Sequence, residues 1–289
     1  MVMARSDTTI PIPPRIRRPM AGFGLVLPGL GLLLLFFVLP VLALLLRSVL
    51  EPQPGLGNYA EFFGSTTYLK VFLNTFTVAG LVTAVTLALG FPVAWFLAIA
   101  PRRWSALLFG IVVLSMWTNL LARTYAWMVL LQRTGLINRT LIELGIISEP
   151  LALTNNLVGV TIGMTYIMLP FMILPLHAAI RTIDPAIFQA AALCGASRGQ
   201  SLRRVFLPLV APGMAAGALM VFVMSLGYFV TPSLLGGTSN MMLAELIAQL
   251  VQSLLNWGLA GAAALVLLVV TLALYAVQIR WFGFGRTAG

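Results

Sequence analysis

From Ala21 to Leu46 the sequence runs without one ionisable side chain, and apolar stretches of similar length recur to its far end. A helix needs about 20 apolar residues to cross the hydrocarbon core of a bilayer. Lipid offers no partner to backbone N–H and C=O groups, so each stretch that enters it must satisfy those groups internally as a helix. Six stretches qualify, 23–46, 71–98, 105–131, 157–179, 211–233 and 257–279. With 60% hydrophobic and 8% charged residues, the chain lies far from the roughly 25% charged of a soluble domain. The expected fold class is all-α, a polytopic membrane protein with six transmembrane helices. Pro28, Pro40, Pro92, Pro170 and Pro175 fall inside these stretches and predict kinks, which membrane helices tolerate when neighbours take up the freed carbonyls.

Orientation follows from the loop arginines. Arg5, Arg15, Arg17 and Arg18 precede the first span, which is longer than the about 7 to 15 residues of a secretory signal and is expected to be retained. With that end inside, the same side collects Arg102, Arg103, Arg181, Arg198, Arg203, Arg204, Arg280 and Arg286, making twelve of the seventeen basic residues. The other side holds Arg47, Lys70, Arg123, Arg133 and Arg139 together with Glu51, Glu61, Glu143, Glu149 and Glu245. Cytosolic loops carry the excess of Lys and Arg, so both termini are expected in the cytosol. The organisation read from this is a cytosolic segment 1–20, a membrane domain 21–280 and a cytosolic tail 281–289.

The stretch 180–210 is too polar to span and too regular for a simple linker. Asp184-Pro185 is a helix start, with Asp at the cap and Pro in the first turn. One short helix is predicted over 186–194, a turn at Gly195, and a second helix over 197–206 stopped by Pro208. Ala190, Ala191 and Ala192 give the first helix a face of low bulk. From composition this is either a knob on which another protein docks or an interfacial helix whose arginines meet lipid headgroups.

Several functions are disfavoured. The basic residues are scattered between uncharged blocks rather than gathered into a patch, which argues against nucleic acid despite a pI near 11.0. The single cysteine, Cys194, reads as a reduced packing residue. The single lysine, Lys70, stands in Tyr68-Leu69-Lys70-Val71, outside any phosphate-binding Gly-Lys-Ser/Thr. His177 has no companion ligands or acid pair. No enzyme activity, metal or cofactor is expected of this chain.

In order, Gln189-Ala190-Ala191, three residues, Gly195, nine residues and then Val205-Phe206-Leu207-Pro208 resemble the E-A-A-x-x-x-G…I-x-L-P loop of binding-protein-dependent ABC importer permeases. Gln189 stands where that family has Glu, which removes a charge, and Val205 where it has Ile. The resemblance implies a type I importer permease fold in the bacterial inner membrane. It makes the loop 184–208 the coupling helix for a cytosolic ATPase, carried by Gln189, Ala190, Ala191, Leu193, Cys194, Gly195, Ala196, Ser197, Arg198, Leu207 and Pro208. It further implies a dimer of ATP-binding subunits that hold ATP and Mg, a second and different permease chain, and a periplasmic or lipid-anchored solute-binding protein. Asn74-Thr75, Gly90-Phe91-Pro92-Val93-Ala94, Trp117-Thr118-Asn119, Gly135-Leu136-Ile137-Asn138, Leu169-Pro170-Phe171-Met172, Pro175-Leu176 and Leu235-Gly236-Gly237 with Trp257 are similar to the spermidine/putrescine-type subgroup.

Polar groups inside spans are candidates for a solute route, because lipid penalises them. Arg123 is expected eight residues below the outer end of its helix, about 12 Å at about 1.5 Å per residue, where it either pins the helix by an ion pair or faces the pathway. Trp117, Asn119, Tyr125, Tyr166 and Tyr228 are candidates to line an aromatic, amide-rich route attractive to ammonium groups, or belong to the interfacial aromatic belt. Glu245, flanked by Met241, Met242 and Leu246, is read as an exposed loop carboxylate, a contact with the delivery protein, or a cargo ligand. The expected solute is a small molecule, a polyamine first and an organic anion, amino-acid-like compound or iron second. A channel or a non-transporting membrane subunit is the competing class.

Overall fold

A computed structural model describes residues 21–282, with side chains from 26 to 280. The expectations for 1–20 and for the end of the tail, including the side on which the termini lie, fall outside the described residues. The chain divides into a unit up to Leu44 and a second from Leu45 on. In the first, α1 (Ala21–Leu33) passes through a π turn at Leu34–Val38 into α2 (Leu39–Leu50), whose last residues belong to the second unit. No charged side chain interrupts the helix before Arg47.

In the second unit α3 (Gly57–Gly64) leads into α4 (Thr66–Ile99), a helix of 34 residues. Next come α5 (Arg102–Trp117), α6 (Leu120–Leu131), α7 (Leu136–Glu143) and α8 (Leu157–Arg181). The loop helices α9 (Ala186–Leu193) and α10 (Arg198–Ser201) precede a π turn, Leu202–Phe206, and α11 (Leu207–Leu226). The chain ends in α12 (Val230–Leu235), α13 (Leu243–Gln252) and α14 (Trp257–Phe282). Among the described residues five helices are long and apolar enough to span, and α5 with the helices after it passes the same measure only when taken together, bent by 100° at the break as a broken span or a re-entrant loop is.

The centre of the unit is α8, packed between α4 and α11. Met164, Met168 and Met172 recur every fourth residue along one stripe of α8 and are fully buried. Apolar side chains gain nothing by leaving lipid for protein, so helices in a membrane associate through close contact, and small residues set how close. Gly213 and Gly217, four apart on α11, serve this end. A Cβ at Gly217 would stand 3.0 Å from the Met172 sulfur and 3.2 Å from Pro175 Cγ, and one at Gly213 would overlap the Ala179 methyl. On the opposite side a Cβ at Gly90 of α4 would stand 3.0 Å from Met172 Cγ.

Two spans differ from expectation. The third is not a continuous helix over 105–131. It breaks at Thr118, which is extended (ψ 143°), and restarts because Asn119 caps α6, its Oδ1 accepting the N–H groups of Leu121 at 2.9 Å and Ala122 at 3.2 Å. The fifth does not begin at 211 after a stop at Pro208. The helix runs from Arg198 through the π turn to Leu226, and Pro208 lies inside it directly after that turn, whose wider i→i+5 bonding accommodates the ring and the missing N–H. It also ends seven residues before 233, leaving Tyr228 in the break before α12.

Candidate coupling site and transport pathway

The loop between α8 and α11 is built as its sequence requires. Asp184 Oδ1 accepts the Ala186 N–H at 2.8 Å and starts α9. The helix closes through Cys194 N–H to Ala190 O (3.0 Å), Gly195 N–H to Ala192 O (2.9 Å) and Ala196 N–H to Ala191 O (3.0 Å). Gly195 has φ +80°, a backbone state that glycine enters without steric penalty. Ser197 and Gln200 then form a reciprocal capping box for α10.

What this geometry presents is an exposed tip with a leucine at its end. Leu193 is 90% exposed, and beside it Gln189, Ala190, Cys194, Gly195, Ser197 and Arg198 are also exposed, while Ala191 and Ala196 are half-buried. Leu207 and Pro208 stand behind the tip, at the start of α11. Leu193 is thus held out at the end of a capped turn whose exposed neighbours include the polar Gln189, Ser197 and Arg198.

Sequence reasoning missed what lies under the tip. Phe188 of α9 faces inward and packs on Phe206 of the π turn at 5.9 Å between ring centroids. Phe206, only 3% exposed, also meets Trp95 at 5.5 Å and Phe91 at 6.1 Å, both on α4. An aromatic seam therefore joins the loop helix to the C-terminal end of α4. The available signal was Phe188 and Phe206 flanking the loop motif, but the pairing with α4 lies a hundred residues away in sequence.

Four of the seven pathway candidates, Trp117, Asn119, Arg123 and Tyr125, stand in and just after the break of the third span, and Tyr166, Tyr228 and Glu245 come from α8, the α11–α12 break and α13. Trp117 is 85% exposed at the break of the third span, and Asn119 is exposed there too, its Oδ1 engaged as a helix cap. Tyr125 is half-exposed, and Tyr166 of α8 packs edge-on to Trp127 of α6 at 5.6 Å. Arg123 is not deep inside a straight helix. It sits one turn into α6, its N–H bonded to Asn119 O at 3.1 Å. Its Nε is buried without a hydrogen-bond partner among the described residues, and its charge acts on Tyr228. Close by, Thr124 and Thr231 hydroxyls meet at 3.2 Å and tie α6 to α12. No carboxylate among the described residues pairs with Arg123; the one ion pair there is Arg47 with Glu51 at 3.7 Å.

Glu245 departs furthest from expectation. It is 8% exposed, in the first turn of α13 beside a second apolar cluster with Phe62, Val71 and Leu243. Burial raises its pKa above the usual carboxylate range, partly opposed by the Met242 backbone N–H, and its Oε2 has no partner among the described residues. The cause is α4: Thr75 Oγ1 accepts the Leu243 N–H at 2.8 Å, and Asn74 Nδ2 donates to Ser239 O at 3.1 Å, drawing α13 inward. Asn138 has a similar anchoring role, bonding Gln132 O and Leu151 O at 3.0 Å each and accepting the Leu151 N–H at 2.9 Å.

Residues 90–282 match the family of binding-protein-dependent transport system inner membrane components. Over 248 residues the chain is 34% identical to spermidine/putrescine transport system permease protein PotB of Salmonella typhimurium (strain SL1344), covering 83% of this chain and 86% of that protein. With the PotB of Haemophilus influenzae the identity is 35% over 256 residues, 86% of this chain and 89% of the relative. A crystal structure of a bacterial alginate ABC transporter in complex with an alginate pentasaccharide-bound periplasmic protein superposes with a TM-score of 0.75 at 20% identity, covering 92% of this chain and 94% of that one.

Proposed function

Because this chain belongs to the family of binding-protein-dependent transport system inner membrane components, with the type I ABC importer permease fold, we propose that it moves a polyamine inward by alternating access, driven through the α9 tip by a separate ATPase. It is a multi-pass transport subunit and not itself an enzyme; ATP hydrolysis belongs to a partner.

The observation that carries the reading is the tip: Leu193, 90% exposed, on a helix whose other face is locked by Phe188 into the aromatic seam. Closure of the ATP-binding subunits with ATP and Mg between them pulls on that tip. The seam passes the displacement to α4 and the π turn passes it to α11. Both helices pack on α8, so the bundle reorients as a unit. A second, related permease chain completes the pathway, a binding protein delivers solute from outside, and both termini lie in the cytosol. The polyamine assignment rests on the PotB relatives.

Arg123 favours a second reading of the cargo. A guanidinium with a buried, unpartnered Nε among the described residues repels a naked polycation and suits an anionic or zwitterionic solute. The test of coupling is Ala191→Asp and Gly195→Asp: both are expected to abolish ATPase co-purification and uptake, and normal values for both variants would refute the docking role. The cargo test is ATP-dependent accumulation of labelled spermidine in proteoliposomes containing the ATPase and binding protein. Accumulation of an organic anion in its place would select the second reading, and passive equilibration would indicate a channel.

A further inference from the structure

Two cavities lie side by side at the end of the bundle that carries α9. The first, of about 790 Å³, is walled mainly by Trp95, Ile99, Phe188 and Phe206, with Arg198 also in its lining. The second, of about 700 Å³, is lined by Arg102, Ser105, His177 and Arg181. They share Ala98 and Arg181, so the Arg181 guanidinium stands at the boundary between a mainly apolar space and a basic one.

The basic cavity lacks an internal counter-charge. Arg102 and Arg181 are exposed, and neither forms an ion pair among the described residues. His177 has its ring against Phe109 at 5.5 Å, and its Nε2 is buried with no hydrogen-bond partner among the described residues. Ser105 already donates to Leu97 O at 2.7 Å, which leaves its oxygen as an acceptor. Two guanidinium forks, a ring nitrogen and a hydroxyl oxygen match a phosphodiester bearing a hydroxylated headgroup. The adjoining apolar wall matches what hangs from such a phosphate in a membrane, an acyl chain. Ile99, 69% exposed, and Trp95, 37% exposed, are the surfaces it would cover.

We propose that these two cavities form one site for an anionic phospholipid, with the phosphate held by Arg102 and Arg181 and the upper acyl chain laid along Trp95, Ile99 and Phe188. Its place in the inner leaflet rests on the reading that the α9 loop faces the cytosol. Basic pockets between helices on that side suit anionic headgroups. The lipid touches Phe188 and Phe206, so its occupancy stiffens the seam through which the loop acts.

The test uses the full chain purified in mild detergent, with native mass spectrometry and thermal melting after adding phosphatidylglycerol, phosphatidylcholine or glycerol phosphate. Phosphatidylglycerol is expected to be retained and to raise the melting temperature above the other two additions. Each arginine lost should weaken retention about fivefold, so Arg102→Gln does so once and Arg102→Gln with Arg181→Gln about 25-fold. Arg203→Gln, outside both cavities, should bind as the parent does. Equal retention of phosphatidylcholine, equal stabilisation by glycerol phosphate, or unchanged retention in the double variant would each overturn the proposal. Arg102→Gln alone, a change at the exposed first residue of α5, gives the answer if the double variant fails to fold. No ATPase enters the measurement, so its failure is separable from failure of the coupling reading.

Discussion

Phe206 is the residue whose replacement most sharply separates assembly from force transmission. It is 3% exposed and meets Trp95, Phe188 and Phe91 at 5.5, 5.9 and 6.1 Å. Aromatic pairs contribute about 0.5–1.5 kcal/mol each beyond area burial, so three pairs amount to about 1.5–4.5 kcal/mol. Phe206→Leu keeps the site apolar, leaves only a small cavity in place of the ring, and removes all three ring contacts. The tip of α9 is untouched, so ATPase binding should be normal. Solute accumulated per ATP hydrolysed, measured in proteoliposomes with the ATPase and binding protein, should fall, by about tenfold for each 1.4 kcal/mol of the seam's energy that the coupled motion loses. A parental ratio in Phe206→Leu, with protein content and ATPase binding unchanged, would refute the seam as the transmission path.

Three further outcomes are expected. Gly213→Leu drives a side chain into Ala179 and should lower stability by about 1–3 kcal/mol through overpacking, read as a fall in melting temperature in detergent; an unchanged value would remove the close α8–α11 contact. Asn119→Ala deletes the cap of α6 and should cost about 1 kcal/mol, seen as faster proteolysis near the break than in the parent. Glu245 has its pKa raised in the folded chain by burial, so the stability it contributes is full below the unfolded value near 4.5 and is lost as pH rises through the folded value. Melting curves should therefore show the parent losing stability relative to Glu245→Gln as the pH is raised above 4.5, and parallel curves would contradict its burial.

The spans and the loop were legible because their signals are local. Hydropathy placed α4, α8 and α14, and Asp184, Gly195 and Ser197 specify the loop by capping and backbone rules that act within four residues. The break of the third span was legible in kind, since Asn119 is a cap residue, but averaging hydropathy over a window hid Thr118 and Asn119 among apolar neighbours. Pro208 misled for the opposite reason: a strong local stop signal is neutralised by the π turn before it. Glu245 and Phe206 could not be placed locally at all. The first is buried by a hydrogen bond between residues 168 apart, Thr75 and Leu243, and the second by rings on α4.

Nature has left one thiol, Cys194, exposed beside Leu193 at the end of α9, and it reports directly on the claim that force enters there. A membrane-impermeant maleimide applied to inverted vesicles should label Cys194, labelling should drop when the ATPase is bound, and right-side-out spheroplasts should stay unlabelled. Labelling from the outer face, or labelling from the inner face that the bound ATPase leaves unchanged, would contradict the account.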